Sequence, residues 1–301
     1  MRRQATLLAA ATVLSACGLS VVGAEDADTD GSPPGADASS GQVPRDATTG
    51  DAADAAATDA GSCQLVFADD FSAGLAKWTT YGGVESVEYD GNRVAEIVSG
   101  YYGAHRGAAA GMFFFPSVLR TGFIAEFRYH VRSTHNTGDG LTFTWLTSVD
   151  KDWLGIYAVP GRGLGLTPGV TGYSFAFDAV KNADPRDITA PSYGLLQLEA
   201  DEEDEPGDYD WHVAQTSATP FGPLYDTLRK VRVVVGEGKV SAFVVNDANA
   251  IPVFSDVPID TYDPIAAIGF TASTGAARAT FSVDDVKVWL PTCPPATFAP
   301  F

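Results

Sequence analysis

Residues 123–132 read FIAEFRYHVR, a segment with large apolar residues at every second position. One face would carry Phe123, Ala125, Phe127, Tyr129 and Val131, and the other Ile124, Glu126, Arg128, His130 and Arg132. Successive side chains of a β-strand point to opposite faces of the sheet. The alternation therefore predicts a strand with one face in the core and the other in solvent.

The same period of two recurs along the chain. Residues 141–146 (LTFTWL) alternate likewise, and two valine-rich runs flank Gly236-Glu237-Gly238 in a pattern typical of a β-hairpin. Residues 279–290 predict a last strand that can pair with the first. A single helical turn is expected around Leu224–Leu228. Many strands joined by Gly- and Pro-rich connections predict one all-β sandwich over residues 63–293, followed by a short tail, 294–301.

Residues 1–17 predict a lipoprotein signal peptide. Arg2 and Arg3 precede an apolar run that ends in Leu-Ser-Ala-Cys, and this run is too short to span a bilayer. The ending resembles the bacterial lipobox, in which Cys17 would carry the lipid and hold the protein at a membrane. Gly18 follows that cysteine, and by the same resemblance the expected location is the outer membrane, facing either side. The alternative is an ordinary signal peptide with an incidental cysteine.

Residues 18–62 predict a disordered tether, because Ala, Asp, Gly, Ser and Thr dominate and aromatic residues are absent. Its nine acidic residues against Arg45 favour an extended chain. The whole chain has a net charge of −19. Setting aside the +2 of the signal and the −8 of the tether leaves −13 on residues 63–301. This acidity argues against nucleic acid or anionic lipid as a charge-driven partner.

The two remaining cysteines lie at the ends of the predicted sandwich. An exported chain meets an oxidising compartment, so Cys63 and Cys293 are expected to form a disulfide that joins the terminal strands. Two free thiols are the alternative.

Residues 175–187 read FAFDAVKNADPRD and contain several hard oxygen donors. Asp178, Asn182 and Asp187, with the backbone carbonyl of Val180, supply the carboxylate, amide and carbonyl oxygens that Ca²⁺ prefers. The glycine and terminal glutamate of an EF-hand are missing. These residues therefore predict a single Ca²⁺ site of another kind. The alternative is a polar loop whose Asp and Asn side chains cap turns.

Four segments resemble, in the same order, motifs of the legume-type (L-type) lectins of the concanavalin A-like lectin and glucanase superfamily. They are GDGLTF (138–143), GRGLGL (161–166), SFAFDAVKNADPRD (174–187) and IGFTASTG (268–275). The corresponding family patterns are D-G-L-A-F, G-G-x-L-G-L, V-E-F-D-T-x-x-N-x-x-x-x-D and G-F-S-A-S-T-G. The resemblance covers approximately residues 64–290. It implies a concanavalin A-like jelly-roll β-sandwich of antiparallel strands that binds glycans with calcium and catalyses no reaction.

The resemblance also implies a sugar site. By motif it would consist of Asp139, a backbone N–H near Gly161 to Gly163, Asn182, and a wall formed by Gly275 and Ala276. A carboxylate accepts hydrogen bonds from two vicinal hydroxyls, and such charge-assisted bonds exceed neutral ones in strength. Plant relatives place an aromatic residue at the position of Val180, which cannot stack on a sugar.

Two other function classes remain open on sequence grounds. Glu199, Asp201 and Glu203 resemble the E-x-D-x-E strand of jelly-roll glycanases, in which paired carboxylates hydrolyse glycosidic bonds. Further acids continue through residue 208, which is also typical of a solvated acidic loop. The third class is a structural or adhesion sandwich that retains only a vestigial sugar site.

Overall fold

A computed structural model of the chain describes residues 64–99, 108–119, 122–136, 138–149, 154, 158–180, 190–199, 212–221, 225–246, 249–260, 264–275 and 278–291. Their strands form two antiparallel sheets, which confirms the predicted all-β sandwich. The predicted signal peptide, the tether and all three cysteines lie outside the described residues. None of the described segments is an apolar helix of membrane-spanning length.

The larger sheet has eight strands. They are β1 (Leu65–Asp69), β3 (Glu85–Tyr89), β4 (Asn92–Val98), β6 (Gly122–Asn136), β11 (Arg229–Gly236), β12 (Lys239–Asn246), β13 (Asn249–Pro258) and β15 (Arg278–Trp289). Their order is β13-β12-β11-β6-β15-β4-β3, and β1 also pairs with β15. The central strand β6 contains the segment FIAEFRYHVR.

The smaller sheet has seven strands. They are β2 (Thr79–Tyr81), β5 (Ala109–Phe114), β7 (Gly140–Ser148), β8 (Thr171–Asp178), β9 (Ser192–Leu198), β10 (His212–Ser217) and β14 (Ala267–Ser273), in the order β10-β9-β8-β7-β14-β5-β2. Two short 3-10 turns, Gly161–Gly163 and Thr219–Phe221, complete the described elements.

Aromatic side chains from both sheets interlock in the core. Phe127 of β6 lies 5.0 Å from Phe143 of β7 and 4.9 Å from Phe270 of β14, measured between ring centroids. The second contact is edge-to-face, a favourable arrangement for aromatic rings. The residues predicted for the inner face of β6 are all buried, as the alternation requires.

The terminal strands lie side by side, as the sequence predicts. Leu65 pairs with Trp289 and Asp69 with Val286. The N–H of Leu290 donates to the carbonyl of Gln64 over 3.0 Å. The predicted hairpin is also confirmed, because β11 and β12 pair from Gly236–Lys239 onward. Glu237 and Gly238 have φ values of 52° and 71°, as a two-residue hairpin turn of type I′ requires.

The expectation that β6 and β7 expose one face to solvent is only partly correct, since the Arg128 side chain of β6 is 40% exposed but other polar residues of these faces are buried. Glu126 and His130 of β6 are buried, and so are Thr142 and Thr144 of β7. The outer face of β7 lies beneath the connection 158–170, whose Leu164, Leu166 and Val170 form a second apolar cluster with Leu146 and Ala176. On the outer face of β6, Glu126 is enclosed by Arg232 and Lys230 of the adjacent β11.

The expected helical turn around Leu224–Leu228 is not found in its described part. Residues 225 and 226 form a bend, residues 227 and 228 have no regular secondary structure, and Leu224 lies outside the described residues. The helical turn in this region is Thr219–Phe221, where Phe221 packs its ring against Tyr193 in the core.

Candidate carbohydrate site

Three neighbouring strands of the seven-stranded sheet bring the described residues Asp139, Asp178 and Gly275 to the same end of the sheet. The first residue of β7, Gly140, pairs with Asp178 of β8 on one side and with Ser273 of β14 on the other. Asp139 directly precedes β7, and Gly275 follows the end of β14 by two residues. The sheet register therefore places Asp139, Asp178 and Gly275 together, although they are far apart in sequence.

Asp139 is held in place by its own backbone. Its carbonyl accepts a hydrogen bond of 2.8 Å from the N–H of Ala179, just after β8. The residue is only 8% exposed, and its Oδ2 atom has no hydrogen-bond partner among the described residues. Fewer than one in ten buried polar groups lack a partner in folded proteins, so this oxygen calls for an explanation.

The carboxylate of Asp139 faces two glycines. A Cβ atom on Gly275 would lie 2.8 Å from Oδ2 and 3.3 Å from Oδ1 of Asp139, and a Cβ on Gly161 would lie 3.9 Å from Oδ1. The predicted residues Asp139, Gly161 and Gly275 are thus close together. A side chain at position 275 would press on the carboxylate, so glycine keeps this approach open.

Burial raises the pKa of Asp139 above its ordinary 3.8, and a backbone hydrogen bond involving Gly275 offsets part of that rise. The sign follows from linkage. A carboxyl whose pKa is higher in the folded than in the unfolded state favours folding while it is protonated. That contribution is lost as the pH rises through the folded-state pKa. The ionised form of Asp139 is therefore disfavoured in the folded protein, and a further donor to Oδ2 would reduce that cost.

The motif GRGLGL forms a closed loop beside Asp139. Main-chain hydrogen bonds join Val159 to Leu166 and Gly165 to Val159, and two more cross the turn from Leu164 to Gly161 and from Leu166 to Gly163. Gly161 and Gly165 have positive φ angles of 67° and 76°. A Cβ on Gly165 would lie 2.4 Å from the carbonyl oxygen of Ala272, so the loop rests directly on β14.

The predicted calcium ligands are only partly described. Asp178 is buried at the end of β8, and its Oδ1 accepts a 3.0 Å hydrogen bond from the N–H of Val180. Asn182 and Asp187 lie outside the described residues, as does Ala276 of the predicted wall. Within the described ranges, no group of three or more His, Cys, Asp or Glu side chains could hold a metal.

The glycanase hypothesis rests on Glu199, Asp201 and Glu203. Strand β9 ends at Leu198, and Glu199 is exposed just beyond it, where its Oε1 accepts a 2.8 Å hydrogen bond from Gln197. Asp201 and Glu203 lie outside the described residues. The first carboxylate of this set is therefore beyond the strand that should carry it.

Comparisons with known proteins agree with this architecture. The exoplasmic/lumenal domain of VIP36, solved in a Ca²⁺/Man3GlcNAc-bound form, superposes with a TM-score of 0.55 at 14% identity, over 75% of this chain and 87% of that one. The lectin from Bauhinia forficata in complex with GalNAc superposes with a TM-score of 0.57 at 16% identity, over 76% and 98%. The carbohydrate recognition domain of Emp47p gives 0.50 at 15%, over 71% and 88%.

The fold is that of the L-type lectins. Protein-family models and curated protein sequences give no match to the chain. The likeness to this fold is therefore structural, at low sequence identity.

Sequence reasoning missed the hydroxyl groups that hold the GRGLGL loop on this lectin fold. Ser273 donates to the carbonyl of Gly161, Thr271 to that of Leu164, and Tyr81 to that of Gly165, each over 2.7 Å. Each hydroxyl acts on a carbonyl of a distant segment, so no local pattern in the sequence could have identified these three residues.

Proposed function

We propose that this chain is a calcium-dependent carbohydrate-binding protein without catalytic activity. The buried Asp139 carboxylate carries the proposal, because its Oδ2 atom lacks a donor among the described residues and the carboxylate faces two glycines. A buried acceptor without a partner costs free energy. A ligand hydroxyl would supply the missing donor.

A sugar suits this site better than most small molecules. Vicinal hydroxyls present two donors at a fixed spacing, and a carboxylate has two oxygens that can accept from both. The glycines at 161 and 275 place no side chain against the carboxylate. Structural neighbours of the same fold were solved with mannose-containing glycans and with GalNAc, so we propose ligands of this class.

Calcium would act through the segment that follows β8. Asp178 and the carbonyl of Val180, with Asn182 and Asp187, have the oxygen chemistry that Ca²⁺ prefers. When bound, the ion would neutralise the two carboxylates and fix the segment that carries Asn182. Asp178 pairs with Gly140, the residue that follows Asp139. The N–H of Ala179, which follows Asp178, donates to the carbonyl of Asp139. The pairing of β7 with β8 therefore positions both the proposed metal ligand Asp178 and the proposed sugar acceptor Asp139.

A glycan array with and without calcium tests the proposal. The full chain is expected to bind mannose- or GalNAc-terminated glycans in millimolar Ca²⁺. A chelator is expected to lower the affinity by roughly tenfold, because the segment would no longer hold the Asn182 amide in place and its hydrogen bond to the sugar, about 0.5–1.5 kcal/mol, would be lost. Circular dichroism would check that the β-sheet spectrum persists in both conditions. A folded protein that binds no glycan in calcium would refute the function. Release of reducing sugar from a polysaccharide would favour the glycanase hypothesis.

We further propose that a lipid on Cys17 holds the protein at the outer membrane. The support is the Leu-Ser-Ala-Cys ending of the apolar run. A Cys17→Ser variant is expected to move from the detergent-extracted membrane fraction to the soluble fraction, since the acyl chains supply the membrane affinity. A variant that stays in the membrane fraction would contradict this.

A further inference from the structure

Thr271 belongs to a row of buried hydroxyls on the outer face of the seven-stranded sheet. Its Oγ1 donates to the carbonyl of Leu164 over 2.7 Å. The same oxygen lies 2.7 Å from Thr142 Oγ1 on β7, which lies 2.8 Å from Thr144 Oγ1, which lies 2.6 Å from Ser174 Oγ on β8. All four residues are fully buried.

The donors in this row have one consistent orientation. A hydroxyl has one hydrogen to donate, and a carbonyl can only accept. Since Thr271 donates to Leu164, Thr142 must donate to Thr271. It follows that Thr144 donates to Thr142, and that Ser174 donates to Thr144. The row is therefore a directed chain that ends on the carbonyl of Leu164. Each bond polarises the next in such a chain.

Leu164, the last acceptor of the hydroxyl row, has a backbone conformation that leucine disfavours. Leu164 has a φ of 52° and a ψ of 22°, in the left-handed region. Ser273 holds the carbonyl of Gly161, and Tyr81 holds that of Gly165. Three of the five carbonyls from Gly161 to Gly165 are thus tied to the sheet by side-chain hydroxyls, one from β2 and two from β14.

The anchored stretch is the one that faces Asp139. Gly161 lies at one end of it, where a Cβ would be 3.9 Å from Asp139 Oδ1. Asp139 itself is attached to β7 and to Ala179. The separation between the loop backbone and the carboxylate therefore depends on the hydroxyl anchors as well as on the sheet.

We propose that Thr271, Ser273 and Tyr81 are positioning residues that set the Gly161–Gly165 backbone at the glycan site, with Thr142, Thr144 and Ser174 orienting the hydroxyl of Thr271. This inference rests on the proposed carbohydrate-binding function. None of these hydroxyls touches the ligand in this proposal, because each donates to a loop carbonyl or to another hydroxyl of the row.

Thr271→Val is the sharpest test, since it keeps the shape and removes the donor. It leaves the carbonyl of Leu164 without its hydroxyl and Thr142 without its acceptor. We expect faster amide exchange in peptides covering residues 158–166 of the ligand-free full chain. We also expect about tenfold weaker binding to immobilised Man3GlcNAc or GalNAc in millimolar Ca²⁺. Thr271→Ser retains the hydroxyl and should restore both properties.

The matched control is Thr280→Val, which changes a buried threonine of the other sheet. Both valine variants are expected to lower the Tm, but only Thr271→Val should change the loop exchange and the affinity measured well below the Tm. If Thr271→Val binds as the wild type does and its loop exchanges at the wild-type rate, the positioning role is overturned while the binding function stands. If the folded wild type binds no glycan on the array in calcium, the proposed function fails and this role falls with it, whatever the exchange rates show.

Discussion

Asp139→Asn is expected to weaken glycan binding by roughly tenfold to a hundredfold, without a loss of stability. The substitution keeps the shape of the side chain but puts an NH2 donor where the ligand hydroxyls need an acceptor. Hydrogen bonds to a charged group contribute about 1.5–3 kcal/mol each, and this sets the size of the loss. Glycan affinity in millimolar calcium and the Tm of the ligand-free protein are the two measurements.

The stability arm of this experiment follows from the raised pKa of Asp139. Burial disfavours the ionised carboxyl, so a neutral amide of the same size should leave the Tm of the ligand-free protein at neutral pH unchanged or higher. The glycan affinity of the wild type should fall as the pH drops through that raised pKa. Any residual binding by Asp139→Asn should lack this component of the pH profile.

Asp256→Asn is a suitable control, because Asp256 is exposed on β13 and asparagine tolerates its positive φ of 50°. We expect it to bind glycan as the wild type does. If Asp139→Asn and the wild type bind glycan with equal affinity, Asp139 does not contact the glycan.

Glu126→Ala is expected to lower the free energy of unfolding by about 3–5 kcal/mol, the usual cost of removing one partner of a buried ion pair. Glu126 is paired with Arg232, and Lys230 Nζ lies 2.9 Å from its other carboxylate oxygen. The side chains of Arg232 and Glu126 are only 3% and 5% exposed. For a domain of this size the Tm should fall by about 10 °C.

The stability falls because removal of the Glu126 carboxylate takes an anionic partner from Lys230 and Arg232. Burial lowers the pKa of Lys230, and the contacts with Glu126 oppose that shift. Without the carboxylate, the ammonium can release its proton, but the guanidinium of Arg232 stays charged in a nearly dry position. Thermal unfolding followed by circular dichroism would measure the loss.

Arg128→Ala is the matched control on the same strand. Arg128 pairs with Asp285 over 3.0 Å, and both side chains are more than one-third exposed. Exposed pairs contribute about 0–1 kcal/mol, so this variant should remain close to the wild type. A Glu126→Ala variant as stable as Arg128→Ala would show that solvent reaches the buried pair.

The sequence predicted the strands better than it predicted their surroundings. Alternation identifies β6 and β7 because side-chain direction is a local property of the backbone. It cannot reveal what covers the polar face, since that depends on a distant segment. Thr142 and Thr144 are buried because the connection 158–170 folds over them, and Glu126 because β11 supplies Arg232 and Lys230.

The site shows the same division. Spacing alone cannot place Asp139 next to Gly161 and Gly275, because their proximity comes from the pairing of β7 with β14, over 120 residues apart in sequence. The family motifs supplied that link. They did not identify Thr271, Ser273 or Tyr81, whose hydroxyls act on carbonyls of another segment and so leave no local pattern.

The two ends of strand β15 lie at opposite ends of the sandwich. Strand β15 begins three residues after Gly275 and runs for 12 residues to Trp289, beside β1. At the usual rise per residue, that strand covers a distance of about 35 Å. The first described residue, Gln64, therefore lies at the opposite end of the sandwich from Asp139. A bulky group attached at Gln64 would therefore not cover Asp139.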